Sequence, residues 1–337
     1  MGDPAGVGAE IIVKALSEEP VYERSRPLVV GDAGVIKHAV AMMGLDCRVN
    51  AIEKVSDASF AFGNIDVFDL HNFKGKPACG KVSAQAGLAA FESVEKVIEL
   101  AMNRQLDATV TAPINKEAIH LAGKNFSGHT EIYAHYTGTK KYAMLLVHEY
   151  LRVIHVTTHV SLRQACDLVK KDRIIEVIQL LDDACKMFGV SEPEIGVAGL
   201  NPHSSDNGIF GCEEEREIIP AIEEARILGL NVEGPVPPDT MFVKAIGGQY
   251  DGCVAMYHDQ GHIPFKLTGF KWNEEKKRMD VSGVNITLGL PIIRVSVDHG
   301  TAFDLAGKGI ASETAMSLSI DYAAKISVHR ALNLKIV

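Results

Sequence analysis

Short apolar runs that end in Gly, Pro, Asp, Asn or His alternate along this chain with longer stretches of helical periodicity. The runs Pro27–Val30, Ala108–Thr111, Tyr142–Val147, Arg152–Val156, Ile195–Leu200, Gly252–Met256 and Ile292–Val297 predict strands. Apolar residues at helical spacing cover 9–17, 33–44, 85–103, 161–187, 213–228 and 312–323. Strands that alternate with helices predict an α/β protein built on a largely parallel sheet. No repeat or low-complexity tract interrupts the alternation. One strongly polar segment, Lys271–Asp280, lies between PFKLTGF and SGVNITLGLP and predicts a solvated hairpin or loop. The chain opens directly on MGDPAGVGAE, where a strand is expected to come first.

Composition narrows the class. A length of 337 residues suggests about two domains. Hydrophobic residues at 47% and charged residues at 23% are ordinary for a globular chain, and the length allows a large core without staples. No run reaches the roughly 18 apolar residues of a membrane span, so none is expected. The net charge of −9 argues against a general basic field for nucleic acid, although a local basic pocket stays open. The six cysteines are scattered with no CxxC, and no leader pattern precedes the first helix; reduced thiols in a cytoplasmic protein are expected.

The polar residues are more informative than the averages. In parallel α/β sheets, ligands bind outside the carboxyl ends of the strands. Four predicted strands run straight into polar clusters: Thr158–His159, Asn201–Pro202–His203, His258–Asp259–Gln260–Gly261 and Asp298–His299–Gly300–Thr301. His159, His203 and His258 are too far apart in sequence for a local ligand motif such as HExxH. Each alone also fits an ordinary hydrogen-bonded histidine. Together at strand ends they suit a divalent metal, with Asp259 and Asp239 as outer partners or extra ligands. His120, His135, His155 and His262 lie on apolar periodic stretches and are expected to be structural.

Anion binders form a second group. Gly128–His129–Thr130–Glu131 is expected to open a helix, whose first amides and dipole suit a phosphate. Lys266 and Arg294 are cations set in apolar sequence, and a buried cation needs an anion, either internal or from a ligand. Asn285, before a Thr-Leu-Gly-Leu-Pro turn, can add an amide donor. Together these suit a substrate with phosphate and carboxylate. The opening Gly-rich segment is not GxGxxG, and the run from Asp298 to Gly309 permits close backbone approach to a ligand or forms a surface loop.

The segments GDPAGVGAE, TAPINKEA, SGHTE, VTTH, GLNPH, FGCEE, MYHDQGHIPFK, VNITLGLPIIR and VDHGTAFDLAGKG occur in order from residue 1 to about 325. They resemble the signature segments of the 4-hydroxythreonine-4-phosphate dehydrogenase family, itself related to the isocitrate and isopropylmalate dehydrogenases. The resemblance implies two α/β domains that share a largely parallel sheet with a cleft between them. It sets a terminal domain of 1–128 plus 296–337, with the cofactor loop, against a central dimerising domain of 129–295. It implies metal ligands at His159, His203 and His258, for Zn, Co, Mn or Mg, at a homodimer interface with ligands from both subunits. It implies substrate contacts from His129, Thr130, Lys266, Asn285 and Arg294, and an NAD loop containing His299, Gly300, Thr301, Ala302 and Asp304.

The implied chemistry is oxidation at C3 of a 4-phosphorylated 3-hydroxy acid, then loss of carbon dioxide. Lys116 and Asp259 are the candidates for proton transfer, with a purely structural role for Lys116 equally open. The insertion Lys271–Ser282 resembles the branch that oxidises D-threonate or D-erythronate 4-phosphate to dihydroxyacetone phosphate rather than the vitamin B6 branch. A relative that oxidises a cyclic cis-diol carboxylate should need no phosphate binders, so Lys266 and Arg294 speak against it. A metal-dependent sugar-phosphate sensor without catalysis is the remote non-enzyme alternative.

Overall fold

The computed structural model describes residues 1–274 and 278–333. Its strands are β1 (Val29–Gly31), β2 (Arg48–Ile52), β3 (Asn64–Asp69), β4 (Ala108–Thr111), β5 (Ala143–His148), β6 (Leu151–His155), β7 (Ile195–Ala198), β8 (Val232–Val236), β9 (Gly252–Ala255), β10 (Phe270–Asn273), β11 (Arg278–Val281), β12 (Val284–Leu288) and β13 (Ile293–Val297). All seven apolar runs predicted as strands are strands, within one or two residues at each end. The fold is mixed α/β with a large, largely parallel sheet. The chain divides into two compact units.

The first unit gathers Met1–Lys140, Trp272–Val284 and Leu290–Ser327. It holds a parallel sheet of order β1-β3-β2 and the parallel pair β4–β13. β2 and β3 carry no apolar run, which is why the sequence does not announce them. Asp66 within β3 is buried and accepts hydrogen bonds from Asn50 Nδ2 at 2.6 Å and the Phe60 amide at 2.8 Å. The helix Ala33–Met43 starts because the Asp32 carboxylate accepts from the Val35 amide at 3.1 Å, and it stops at Gly44, which turns left-handed with φ 63°. The helix His129–Thr137 belongs to this unit because Ile132 and Tyr133 are buried in one cluster with Phe91 and Ile119.

The second unit gathers Lys141–Lys271, Asn285–Gly289 and the described residues after Ser327. Its strand order is β12-β5-β6-β9-β7-β8, with β5 antiparallel to β6 and the β6–β9, β9–β7 and β7–β8 pairs parallel. The predicted helix 161–187 is two helices, Leu162–Leu168 and Lys171–Met187. The Glu217 carboxylate explains the break: it accepts from the Lys171 amide at 2.9 Å and from Lys170 Nζ at 3.0 Å, capping the second helix from outside. The helix His258–Gly269 is hidden in the sequence by Gly261, Pro264 and Gly269. Gly261 is what lets it lie on β6, since a Cβ there would stand 2.4 Å from His155 Nε2. The polar insertion forms the two-stranded pair β10–β11, and its residues 275–277 lie outside the described residues. Among the described residues no helix is long and apolar enough to cross a membrane.

Candidate functional site

β6, β9 and β7 are neighbours in the second unit, and all run parallel, so their carboxyl ends share one edge. The register keeps those ends level. His155 sits beside Ala255, and Val254 beside Val197. Beyond the strands, the Val156 amide donates to the Ala255 carbonyl at 2.8 Å and Thr157 Oγ1 to the Met256 carbonyl at 2.9 Å. His159 follows β6, His258 follows β9 and His203 follows β7. The rings of His159 and His258 lie 5.9 Å apart.

Two of these imidazoles are oriented by carboxylates. His258 Nδ1 donates to Asp259 at 2.7 Å, and His203 Nδ1 to Asp206 at 3.3 Å. Each is left with Nε2 as its second ring nitrogen. A carboxylate on one ring nitrogen, with the other left for a metal, is the arrangement that suits a metal-ligating histidine, so His258 and His203 each suit a divalent cation as ligands. Asp259, read from the sequence both as an outer partner of the histidines and as a candidate for proton transfer, stands against His258 in the structure. His203 stands on its own turn, with Phe210 at 6.5 Å between ring centres. Among the described residues no group of three His, Cys, Asp or Glu side chains of the single chain is close enough to hold a cation. Asp239 is exposed in the first turn of the helix Pro238–Ile246.

In the first unit, Arg294 projects from β13 and is buried. Its guanidinium donates to Thr111 Oγ1 at 2.9 Å and lies 5.6 Å from the Tyr133 ring centre. Tyr133 donates in turn to Thr109 Oγ1 at 3.0 Å, and Thr109 donates to the Ile293 carbonyl at 3.0 Å. Burial lowers the Arg294 pKa to about 10, which still leaves it charged. His129 opens its helix behind Gly128, as expected, and Thr130 follows it. His129 Nε2 is buried with no hydrogen-bond partner among the described residues. Burial, and next the Arg294 charge, hold its pKa well below the ordinary histidine value. A neutral imidazole and a guanidinium at a helix N-terminus can together receive an anion.

The loop after β13 is pinned rather than loose. Glu10, buried in the first-unit helix Gly8–Ala15, accepts from the Gly307 amide at 2.6 Å and the Gly309 amide at 2.9 Å. The Val7 amide donates to the Thr301 carbonyl at 3.0 Å. His299 Nδ1 donates to the Gly300 carbonyl at 2.9 Å, and burial lowers its pKa. Ala302 takes a positive φ of 43°, and Asp304 is exposed. The buried Glu10 carboxylate thus fixes the loop backbone at Gly307 and Gly309.

Lys266, Asn285 and Lys116 lie on three different elements. Lys266 is not within a buried strand; it is on the exposed face of the helix His258–Gly269, with Nζ 5.2 Å from the Phe270 ring centre. Its apolar neighbours Ile263 and Leu267 are themselves exposed, so apolar sequence did not mean burial here. Asn285 is at the start of β12 in the second unit, with Oδ1 buried and no partner among the described residues. Lys116 is exposed at the start of the helix Lys116–Leu121, with its Cε 3.9 Å from where a Cβ on Gly128 would stand.

Residues 23–323 match the family model described as "Pyridoxal phosphate biosynthetic protein PdxA". The chain belongs to the PdxA family. D-threonate 4-phosphate dehydrogenase from Cupriavidus necator is 45% identical over 98% of this chain and 97% of its own length. The solved 4-hydroxythreonine-4-phosphate dehydrogenase from Klebsiella pneumoniae is 44% identical, covers 97% of this chain and 98% of that one, and superposes with a TM-score of 0.83. A terephthalate 1,2-cis-dihydrodiol dehydrogenase from Burkholderia xenovorans is 27% identical, covers 94% and 93% of the two chains, and has a TM-score of 0.63. The relatives named here are dehydrogenases, and this PdxA-family chain is a dehydrogenase of the same family.

Two histidines that the sequence set aside join the second-unit group of this PdxA-family protein. The His262 ring stacks on His258 with centroids 3.7 Å apart and planes at 11°, and its Nδ1 donates to the His258 carbonyl at 3.0 Å. His155 lies 4.6 Å from His262. The i, i+4 spacing of His258 and His262 carried this signal, but only for a reader who already knew the segment to be helical. Burial, with His258 adding to it, lowers His262 to about 4, and burial first holds His155 well below the ordinary histidine value.

His129, His155 and His262 therefore bind protons less tightly folded than unfolded. As pH falls below about 6.5, the unfolded chain takes up protons first. Their stabilising contribution is complete above that pH and is lost as pH falls towards the folded value of about 4 for His262. Urea unfolding of the metal-free protein should show a lower midpoint at about pH 5 than at about pH 7.5. An equal or higher midpoint at the acid pH would contradict these burial effects.

Proposed function

We propose that this chain oxidises the C3 hydroxyl of a 4-phosphorylated 3-hydroxy acid with NAD and a divalent metal, and that the product loses carbon dioxide. The preferred substrates are 4-phospho-D-threonate or 4-phospho-D-erythronate, giving dihydroxyacetone phosphate. The observation that carries the reading is that three adjacent parallel strands end level and each is followed within a few residues by a histidine, two of the three oriented by carboxylates. Kinship with the Cupriavidus necator enzyme at 45% identity supports the substrate class.

His159, His203 and His258 would hold the cation, and the loop from Asp298 to Gly309 would receive NAD. When bound, the metal supplies Lewis-acid polarisation of the C3 oxygen and the nicotinamide supplies a hydride acceptor. The rest falls to this chain's residues. Arg294, His129 and Thr130 bind one anionic end of the substrate, and Lys266 and Asn285 add a cation and an amide. The C3–H bond breaks with its electron pair leaving as hydride, and the hydroxyl proton passes to a base, for which Lys116 and Asp259 are the proposed groups. The C1–C2 bond then breaks, carbon dioxide departs and C2 takes a proton.

The proposed assembly is a homodimer that draws the ligands of each metal site from both subunits. Apolar side chains stand exposed beside two of the histidines: Ile209 at 75% and Phe210 at 51% near His203, and Ile263 at 58% and Leu267 at 77% on the His258 helix. Such surface is costly to leave in water and marks an interface. Mixed dimers of His203→Ala and His159→Ala chains should regain turnover that neither parent shows. Silence in dimers proven to be mixed would sink the shared site. Free thiols at all six cysteines fit a reducing, cytoplasmic setting.

The second reading is the amino-acid phosphate of vitamin B6 synthesis, favoured by the family description and the Klebsiella pneumoniae relative. The candidates differ at C2, where an amine replaces a hydroxyl, and in stereochemistry. A site built for one hydrogen-bonding pattern leaves buried groups unpaired with the other. With NADH absorbance as readout, kcat/KM for 4-phospho-D-threonate or 4-phospho-D-erythronate should exceed that for 4-phosphohydroxy-L-threonine by about tenfold or more. A higher value for the amino-acid phosphate would restore the biosynthetic reading.

A further inference from the structure

Glu214 is only 1% exposed, yet it takes no part in the groups described above. Its Oε1 accepts from the Leu200 amide at 2.8 Å and the Asn201 amide at 2.7 Å, and its Oε2 from Asn201 Nδ2 at 2.8 Å. The same Asn201 Nδ2 donates to Glu213 at 2.8 Å. Leu200 and Asn201 are the last residues before the Pro202–Asp206 turn that carries His203.

That turn is unusual. His203, Ser204, Ser205, Asp206 and Asn207 all have positive φ, at 53°, 54°, 71°, 45° and 57°. L-residues enter the left-handed region at a cost, and a run of five persists only where its surroundings over-determine it. The surroundings here do so at both ends. Glu214 clamps the entry. Gly211 closes the exit, with φ 149° and a Cβ position only 2.5 Å from Asn201 Nδ2, so a side chain there would push the Asn201 amide out of its place. Gln260 steadies the strand end beneath: it donates to the Gly199 carbonyl at 2.8 Å and accepts from the Met256 amide at 2.7 Å, tying the end of β7 to the end of β9. Glu214 also begins a wide π-helical turn, Glu214–Ile218, just ahead of Pro220, which crowds the preceding turn.

We propose that Glu214 is a positioning residue. Its carboxylate holds the entry to the left-handed turn and thereby sets where the His203 imidazole stands. The functional half of this rests on the metal reading of His203. Both Glu214 oxygens must accept, so Glu214→Gln keeps the shape but sets an amide NH2 against the Asn201 NH2. Asn201→Ala is the milder second variant, since it leaves the two backbone bonds of the carboxylate in place.

The test uses the metal-free full chain. Hydrogen exchange is followed by mass in segments covering 203–208 and the helix His258–Gly269, and Zn²⁺ affinity is measured against a coloured chelator, with His203→Ala as benchmark. In Glu214→Gln, exchange at 203–208 should quicken about tenfold while the helix keeps its rate. Zn²⁺ binding should weaken about tenfold, and Asn201→Ala should move both readouts less in the same direction. Unchanged exchange at 203–208, an equal rise in the helix, or unchanged Zn²⁺ affinity would each overturn the proposal. Should wild type bind Zn²⁺ no better than His203→Ala, the metal reading fails, and the exchange comparison still decides whether Glu214 holds the turn.

Discussion

The parallel pairing of β6, β9 and β7 is the constraint on which the second-unit site depends. Three segments distant in sequence must end level before His159, His258 and His203 can face one edge. The register does this through ordinary ladder bonds, continued past the strands by Val156 and Thr157. A one-residue slip in any strand would turn its side chains to the other face and carry its histidine away. The apolar side chains of the strands, among them Val153, Val197 and Val254, are all fully buried in this register.

Several polar groups of both units are held by a neighbour chosen for its chemistry, in the open at His203 and His258 and in the interior at Glu214, Arg294 and Glu10. Carboxylates orient His258 and His203, Glu214 ties down two backbone amides, and the Thr111 hydroxyl receives a donor of Arg294. Where no carboxylate is offered, burial removes the charge instead, as at His129 and His155. The first unit follows the same rule at Glu10, whose carboxylate collects two loop amides. Burying a polar atom without a partner is costly, so the partners that are present fix much of the local geometry.

Much of this was legible in the sequence. Each metal candidate ends an apolar run, and a run that stops at His or Asn-Pro-His shows its carboxyl end in one dimension. Strand adjacency was not legible, because pairing between distant segments leaves no local mark. The helix His258–Gly269 was hidden by its glycines and proline, and with it the stacking of His262 on His258. Lys266 misled for the opposite reason: its apolar neighbours face outward. Glu214 stood in plain view within FGCEE, but a buried acid and an exposed one look alike until the turn it clamps is seen.

Metal binding at these strand ends requires the imidazoles of His159, His203 and His258 to converge on a single cation. The most direct measurement is a crystal structure of the full chain soaked with Zn²⁺, with anomalous scattering recorded on both sides of the zinc edge. The account predicts one strong peak per site, about 2.0–2.1 Å from Nε2 of His203 and of His258 and bonded also to His159, whichever subunit supplies each ring. A peak held by other residues, or none at these strand ends, would contradict it.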